Sequence, residues 1–586
     1  MTNDREGNAD VDATRQAIDA APYRKRWHEL DRLAERWKPL WREVNEYVLP
    51  WSGRFLYSDR DRQEVRRGQN VHNSVTYNAI QTAASGLHGG LTSPSRPWFE
   101  LAHPDEQLME NARVKMWIHQ VQNSQRLMLA KSNFYSAVQD LYYEALAYGQ
   151  GVTLMERDLG GGCVRFRTLT CGEYRLANGA DLRIDSVYRR LMLTAAQMRT
   201  VFKDSRLPKK VEEALGRGDR DRVFYLIQAI QPWGFFDNSS SDRWKFESVY
   251  FLEDGGREEA VITRRGYSTR PFVAVRWGQI GDEVYGHSPG QMALADIRQL
   301  QTQERAYVNA VNWIADPAWL VSDSLKDHLA RGEIRPGAII GASPQDAQHL
   351  FRPLLRPLFD FANIRLKIQD VEERIRMAFY NPLFLMVQSR QGQMTATEVM
   401  QLVDEKASVL GPVLERFQAE LFDPVLARLF DIMAGELAMM PAAPPEMVNQ
   451  ALKVEYVSLL AQAQKQAGLT GMTHFLAVSG EIIRNFPEAA AKINPEEAID
   501  QMAVIYNAPA PVVRSDDEVA GIREKAAAQQ VQEAQLATIE RGADIAKTLG
   551  ATSMGNGNAL DALVESPTRM QGSMVDMGDI SHNPPG

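Results

Sequence analysis

Gly286-His287-Ser288-Pro289-Gly290 is the stretch whose spacing best fits a nucleophilic serine. In a G-x-S-x-G elbow the serine sits on a sharp turn, and the backbone N–H of the next residue steadies the oxyanion. His88-Gly89-Gly90 even echoes the second half of such a site. Here, however, the residue after the serine is Pro289, and proline has no N–H to give. The same residues read well without chemistry. Ser288 caps a helix and Pro289 takes its first position. The expectation is therefore a helix cap at Ser288 and no hydrolase.

Little else could carry a reaction. No G-x-x-x-x-G-K-[ST] loop and no H-E-x-x-H pair is present, and the ten histidines are scattered. No metal, no cofactor and no enzyme activity is expected. The adjacent carboxylates Glu372-Glu373, Asp404-Glu405 and Asp516-Asp517-Glu518 point apart on a helix, so they read as solvated faces. Asn238-Ser239-Ser240 is a formal glycosylation sequon, but nothing in the sequence suggests secretion. The two cysteines, Cys163 and Cys171, exclude a disulfide framework and a Cys-rich zinc site.

The elements come in blocks. Trp27, Leu30, Leu33, Ala34, Trp37, Trp41, Val44 and Val48 recur at helical spacing from Pro22 to Val48, with Pro39 predicting a kink. The tryptophans Trp27, Trp37, Trp41 and Trp51, with Trp98 later, read first as core and second as a subunit interface. Ser58 to Asn70 is a charged loop. Helical patterns follow over 73–88, 105–130 and 133–148. Thr153–Arg157 and Cys163–Leu169 alternate around Gly160-Gly161-Gly162, which predicts a hairpin. Further strand-like runs lie at 182–193, 222–231, 244–252 and 270–277, so the middle third is mixed α and β.

Past Pro289 the texture changes. One helix is predicted over 290–314, with Ile297, Leu300, Tyr307, Val311 and Ile314 on a seam that Glu304 interrupts. Residues 317–358 are short and proline-broken. A second helix over 361–379 carries Ile364, Ile368, Val371, Ile375 and Ala378. A loop from Tyr380 to Met394 precedes a long helix that begins near Thr395 and runs towards Ala434, with bends expected at Gly411-Pro412 and Pro424. Pro441 to Pro445 marks a boundary. Helices are expected again at 454–468, 472–485, 496–506 and 515–548.

The bulk numbers bound the class. A chain of 586 residues suggests about four domains, or one large body with several modules. Its 44% hydrophobic and 24% charged residues are ordinary for a globular protein. No stretch approaches the ~18 consecutive apolar residues that a membrane span needs, and Met1 to Asp10 shows no secretory signal. A net charge of −9 argues against a protein that grips nucleic acid over its whole surface, but not against one that surrounds it.

Several segments together resemble the head-to-tail connecting, or portal, proteins of short-tailed bacteriophages. They are RWHELDRLAERWKPLWREVNEYVLPWSGRF, NAIQTAASGLHGGLTSPSRPWF from Asn78 to Phe99, YGHSPGQMALADIRQLQ over 285–301, MTATEVMQ over 394–401, VEYVSLLAQAQ, and INPEEAIDQMAVIYNAPAPVVRSDDEVAGIR. They run in order through residues 22 to 530.

The resemblance implies an α+β, mostly helical subunit of wing, stem, clip and crown that assembles into a ring with a central channel. Laid on this sequence, it implies a wing over 22–287 and a first stem helix over 288–315, while residues 1–21 lie outside it and read from their polar composition as a disordered tail. The clip then spans 316–358, the second stem helix 359–379 and the channel loop 380–394. A long kinked helix covers 395–440, the crown 441–514 and a C-terminal helix 515–550; residues 551–586, rich in Gly, Ser, Asn and Met, read from composition alone as a second disordered tail.

It also implies a twelve-subunit homo-oligomer at one capsid vertex of the virion, made in the host cytoplasm, away from membranes. Its partners would be the major capsid protein, scaffolding protein, the terminase packaging motor, a head-tail adaptor, and double-stranded DNA passing through without sequence preference. In the channel loop, Gln388, Ser389, Arg390, Gln391 and Gln393 are expected to face DNA, while Leu383 to Val387 pack against the stem or a neighbouring loop. In the clip, Arg331, Arg335, Arg352 and Arg356 are expected to meet motor and adaptor. An acidic channel lining is expected to let duplex DNA slide. The competing reading is a non-catalytic helical scaffold or filament protein.

Overall fold

The computed structural model describes residues 18–315, apart from 57–67 and the loop positions 106, 107, 110, 159–162, 204, 238 and 257–260. It then describes 319–321, 331, 351–353, 360–388, 410–436, 440–447, 452–456 and scattered positions from 477 onward. The chain divides into two compact units, Met1–Ala490 and Ala491–Gly586. The expected disordered tails fall outside the described residues except at 18–21, 553–554 and 557–558, as do most of the clip, the crown and the start of the long helix.

The first unit is α+β. Helices α1 (Ala21–Ala34) and α2 (Lys38–Tyr47) come from the first apolar period. The break falls at 35–37 rather than at Pro39, because Pro39 fits within the first turn of α2. Next come α3 (Val75–Leu91), β1 (Phe99–Ala102), α4 (Ala112–Lys131) and α5 (Phe134–Tyr148). The predicted helix over 105–130 starts later, at Ala112, where the Asn111 side chain accepts from Arg113 N. Helix α5 is mostly apolar and mostly buried, with Ser136 and Asp140 on its exposed side and everything from Glu144 to Tyr148 buried.

Strands β2 (Gln150–Asp158) and β3 (Cys163–Leu169) form a hairpin, and β9 (Phe272–Arg276) adds to β2 as a third antiparallel strand. A second sheet is an antiparallel meander of β4 (Tyr174–Asn178), β5 (Ile184–Thr194), β6 (Val223–Pro232), β7 (Phe246–Leu252) and β8 (Thr263–Tyr267). Strands β4 and β8 were not legible in the alternation. Every residue of β4 but the last is buried, and none of β8 is. Between β5 and β6, helices α6 (Ala195–Val201) and α7 (Lys209–Gly216) build a small core of their own around Met198, Phe202, Val211 and Phe224.

After the sheets come α8 (Pro289–Met292) and α9 (Leu294–Ala315), separated at Ala293 where one continuous helix was expected. Strands β10 (Trp319–Val321) and β11 (Phe351–Pro353) pair antiparallel, and α10 (Phe361–Ala378) follows. The predicted loop from Tyr380 needs correction, since Asn381–Gln388 is a helix, α11. Its Asn381-Pro382 start suits a helix N-terminus, and Leu383 and Phe384 give it a face that packs into the main core.

Residues 410–417 are helical and lead through a π turn, Gln418–Phe422, into α12 (Asp423–Asp431) and a second π turn, Ile432–Glu436. The helix predicted from 454 also needs correction. Lys453–Tyr456 is a strand, β12, paired with β1 so that Tyr456 lies opposite Phe99. Partner-strand hydrogen bonds and core contacts of Val454 and Tyr456 override the local helical pattern. The second unit, taken alone, has helical residues over 521–529 and an antiparallel pair of β13 (Ser553–Met554) and β14 (Gly557–Asn558). Among the described residues no helix is long and apolar enough to cross a membrane.

Candidate functional site

Ser288 caps α8, the helical turn that leads into α9. Its hydroxyl accepts from Gln291 N at 3.0 Å and donates to Ala147 O at 2.8 Å, and the residue is fully buried. Gln291 completes a capping box on Ser288 N and also donates to Tyr148 O at 2.9 Å. The motif therefore serves two helix ends, the N-terminus of α8 and the last carbonyls of α5, groups that have no partner inside their helices. Its glycines serve the same contact. A side chain on Gly286 would collide with the carbonyl of Gly149, and one on Gly290 would lie 3.0 Å from Ala147 O. His287 does not turn to the serine, since its Nε2 pairs with Glu283 Oε2 at 2.6 Å.

From this cap α9 runs out and α10 runs back. Asp296 near the start of α9 pairs with Arg374 near the end of α10 at 3.3 Å, and Tyr307 meets Phe361 at 5.7 Å between ring centroids, so the helices are antiparallel. Ile297 and Leu300 face Ile368, Val371 and Ile375 in the core. Further along α9 the seam opens: Val308, Val311 and Ile314 are exposed, as are Leu366 and Met377 of α10.

A polar clasp joins this pair to α3. Gln301, buried at 3% exposure, accepts from His72 N and Asn73 N at 2.6 and 2.8 Å and donates to Asn73 O at 2.9 Å. The Asn73 amide then donates to Glu304 of α9 and to Glu372 of α10, each at 2.9 Å. Glu304 interrupts the apolar seam because it is one jaw of this clasp.

The return path is fastened as firmly. Tyr380, at φ 58°, makes the corner between α10 and α11, and its ring lies 6.0 Å from Trp277. The helical stretch after 410 docks on the sheets. Arg276, 1% exposed on β9, donates to Glu420 Oε1 through Nε at 3.1 Å and through Nη2, while its backbone N donates to Glu420 Oε2 at 2.9 Å. Arg416 donates to Trp277 O at 2.7 Å. Asp431 accepts from Ser268, Thr269 and the buried Arg428. Glu420 lies in the first π turn, a geometry that recurs at functional positions in helices.

Of the residues singled out for the channel, Gln388 is the last residue of α11, and Ser389, Arg390, Gln391 and Gln393 lie outside the described residues. Of the clip arginines, Arg331 is exposed in a turn and Arg352 lies in β11, while Arg335 and Arg356 lie outside the described residues. On the two helices expected to form the stem, charge nearly balances. Asp296, Arg298, Glu304 and Arg305 balance on α9, and α10 sets Arg365, Lys367, Arg374 and Arg376 against Asp370, Glu372 and Glu373.

The tryptophans divide. Trp27, Trp41 and Trp98 are buried, and Trp51 is 61% exposed with an edge-on contact to Tyr77. No metal-ligand cluster occurs among the described residues. Sequence reasoning missed Asn73, Gln301 and Arg276. The one signal for the first two was Glu304, a charge on an apolar seam; nothing in the local pattern pointed to Arg276.

Three comparisons bear on these elements. The family model for the bacteriophage head to tail connecting protein matches residues 20–513. A Bordetella phage BPP-1 protein named "Probable portal protein" is 34% identical over 540 residues, covering 91% of this chain and 96% of the relative. The Salmonella phage epsilon15 "Portal protein" is 30% identical over 531 residues, covering 90% and 94%. Among solved structures, a chain of the "Neck of empty GTA particle" aligns over 79% of this chain and 98% of its own, with 14% identity and a TM-score of 0.36.

Proposed function

The chain belongs to the bacteriophage head to tail connecting protein family, and from that premise we propose that it forms the portal. Copies close into a ring at one capsid vertex, and double-stranded DNA is packaged and ejected through the central channel. The observation that carries this reading is the match to phage portal proteins along nearly the whole of both chains.

The stem pair α9 and α10 lines the channel, with α11 leading into the loop that meets DNA. Head-to-tail contacts close such a ring without a free edge. The exposed Val308, Val311, Ile314 and Leu366 supply apolar surface for the neighbouring subunit. Twelve subunits complete the ring in the capsid. The clip, with Arg331, Arg335, Arg352 and Arg356, docks the packaging motor and later the tail adaptor, while the wing meets capsid and scaffolding proteins. The role is structural, and the Ser288 hydroxyl is already committed to two backbone partners. A plain helical scaffold has no use for two antiparallel sheets.

Arg390 is the lone charge in the stretch Gln388 to Gln393. A ring presents it at a single height, where it touches phosphates in screened, exchangeable contacts. Deleting residues 388–393 is expected to leave closed rings with a central hole in class averages, and to impair DNA translocation or retention in assembled particles. Rods instead of rings from the unaltered protein would overturn the portal reading. Normal packaging and retention by the deletion variant would remove the channel role of this segment.

A further inference from the structure

We infer that Gly86 is a positioning residue for the channel: its missing side chain seats Phe384, and that seat sets the direction in which α11 delivers the chain. The inference rests on the channel reading above and names a residue far from the loop in sequence.

Gly86 lies inside α3. A Cβ added there would run into Cγ and Cδ1 of Phe384 and come within 2.7 Å of its Cβ. A ring rotation can relieve the first collision but not the last, so α11 itself would have to move. An interior helix position favours alanine over glycine unless a neighbour needs the space. Gly89, in the same helix, has nothing near its missing side chain. The close fit is thus particular to Gly86. Phe384 fills it and is 8% exposed.

The seat is itself held in place. The start of α3 is clasped to both stem helices through Asn73 and Gln301. Its end meets α5 through Thr92 Oγ1 and Tyr142 OH at 3.2 Å. Between clasp and seat runs continuous helix, rising ~1.5 Å per residue, so stem and seat keep a fixed spacing. Helix α11 has only 8 residues and is too short to hold its course alone. Among its described residues it is held by the corner at Tyr380, whose positive φ is disfavoured for a bulky residue, by Leu383 against the core, and by the Phe384 seat.

The test uses full-length rings carrying Gly86→Ala, Phe384→Ala or both. Hydrogen exchange is followed in the peptide covering Asn381–Gln388, with β5 as internal reference, and packaged DNA is measured in particles assembled with each variant. Each single substitution is expected to speed exchange in α11 by about tenfold or more and leave β5 unchanged. The double variant should exchange more slowly than Gly86→Ala alone, because the ring atoms that the new methyl meets are gone. DNA retention should fall and recover in the same order.

Wild-type exchange in both single variants, or a double variant no better than Gly86→Ala, overturns the inference. So does faster exchange that includes β5, which would make Gly86 a residue of the general fold. Loosened α11 with rescue by the double variant but unchanged DNA retention keeps the seat and removes the channel reading instead.

Discussion

Glu144 shows how much a single residue can organise. It is buried on α5, accepts from Cys171 N at 2.8 Å, and is hydrogen-bonded by the Ser52 hydroxyl. Ser52 in turn touches Thr170 at 3.1 Å, and Asn45 donates to Tyr148 at 3.3 Å and to the carbonyls of Leu49 and Ser52. This knot ties the turn after α2 to α5 and to the start of β4. Burial pushes the Glu144 carboxyl up to about 7. A folded-state value raised above the unfolded one means the stabilising contribution is complete below the unfolded value, near 4.5, and is lost as pH rises through about 7. Melting temperature should therefore fall between pH 5 and pH 8 in the wild type more steeply than in Glu144→Gln. Parallel profiles would show that another group sets the pH response. None of this was legible in the sequence, where Glu144 is, with Asp140, one of two acids in a mostly apolar helix. Only the fold brings Ser52 and Cys171 to it.

At the scale of elements, the helical stretch after 410 illustrates pattern yielding to a partner. Its apolar periodicity and Pro424 were legible, but the π turn at Gln418–Phe422 was not, because a widened turn leaves no compositional mark. The widened turn holds Glu420, which meets both the side chain and the backbone N of Arg276. Glu420→Gln leaves a nearly fully buried guanidinium without its counter-charge, a change that costs about 3–5 kcal/mol in buried pairs. The exposed pair Lys453–Glu455, 3.1 Å apart, serves as control, and Glu455→Gln should cost no more than about 1 kcal/mol. Denaturant titration of both variants checks the contrast. Equal losses would mean that the Arg276 pair merely rides on docking made by other contacts. The α9–α10 seam was easier to read, since its inward positions Ile297, Leu300, Ile368, Val371 and Ile375 follow helical spacing.

At the scale of the whole molecule, charge and assembly govern. The net charge of −9 is not concentrated on α9 and α10, the proposed stem, whose acids and bases nearly balance. Smooth passage of DNA would then rest on the absence of a strong field in the stem rather than on repulsion from it. The segment 316–358, the proposed clip, carries as many acids as bases, so its arginines would act on a partner as individual contacts rather than through a net charge. Reversing charge at two of its arginines, Arg331→Glu with Arg352→Glu, should spare ring formation in class averages. It should weaken capture of the tail adaptor in a pull-down, more so at low salt than at high salt. Undiminished capture would take these two residues out of the docking surface.

What the sequence determined by itself was whatever depends on neighbours along the chain. That includes the Ser288–Pro289 helix start, the β2–β3 hairpin, the inner half of the α9–α10 seam, and the motifs whose order marks the family, because capping, alternation and helical period are local rules. What the tertiary structure decided was whatever depends on groups far apart in the chain: Asn73 between Glu304 and Glu372, Arg276 on Glu420, Phe384 in the space at Gly86, and β12 drawn into a strand by β1. The physical reason is the same in each case. A buried polar group or a missing side chain has meaning only through the atoms that surround it, and those are chosen by packing rather than by sequence spacing.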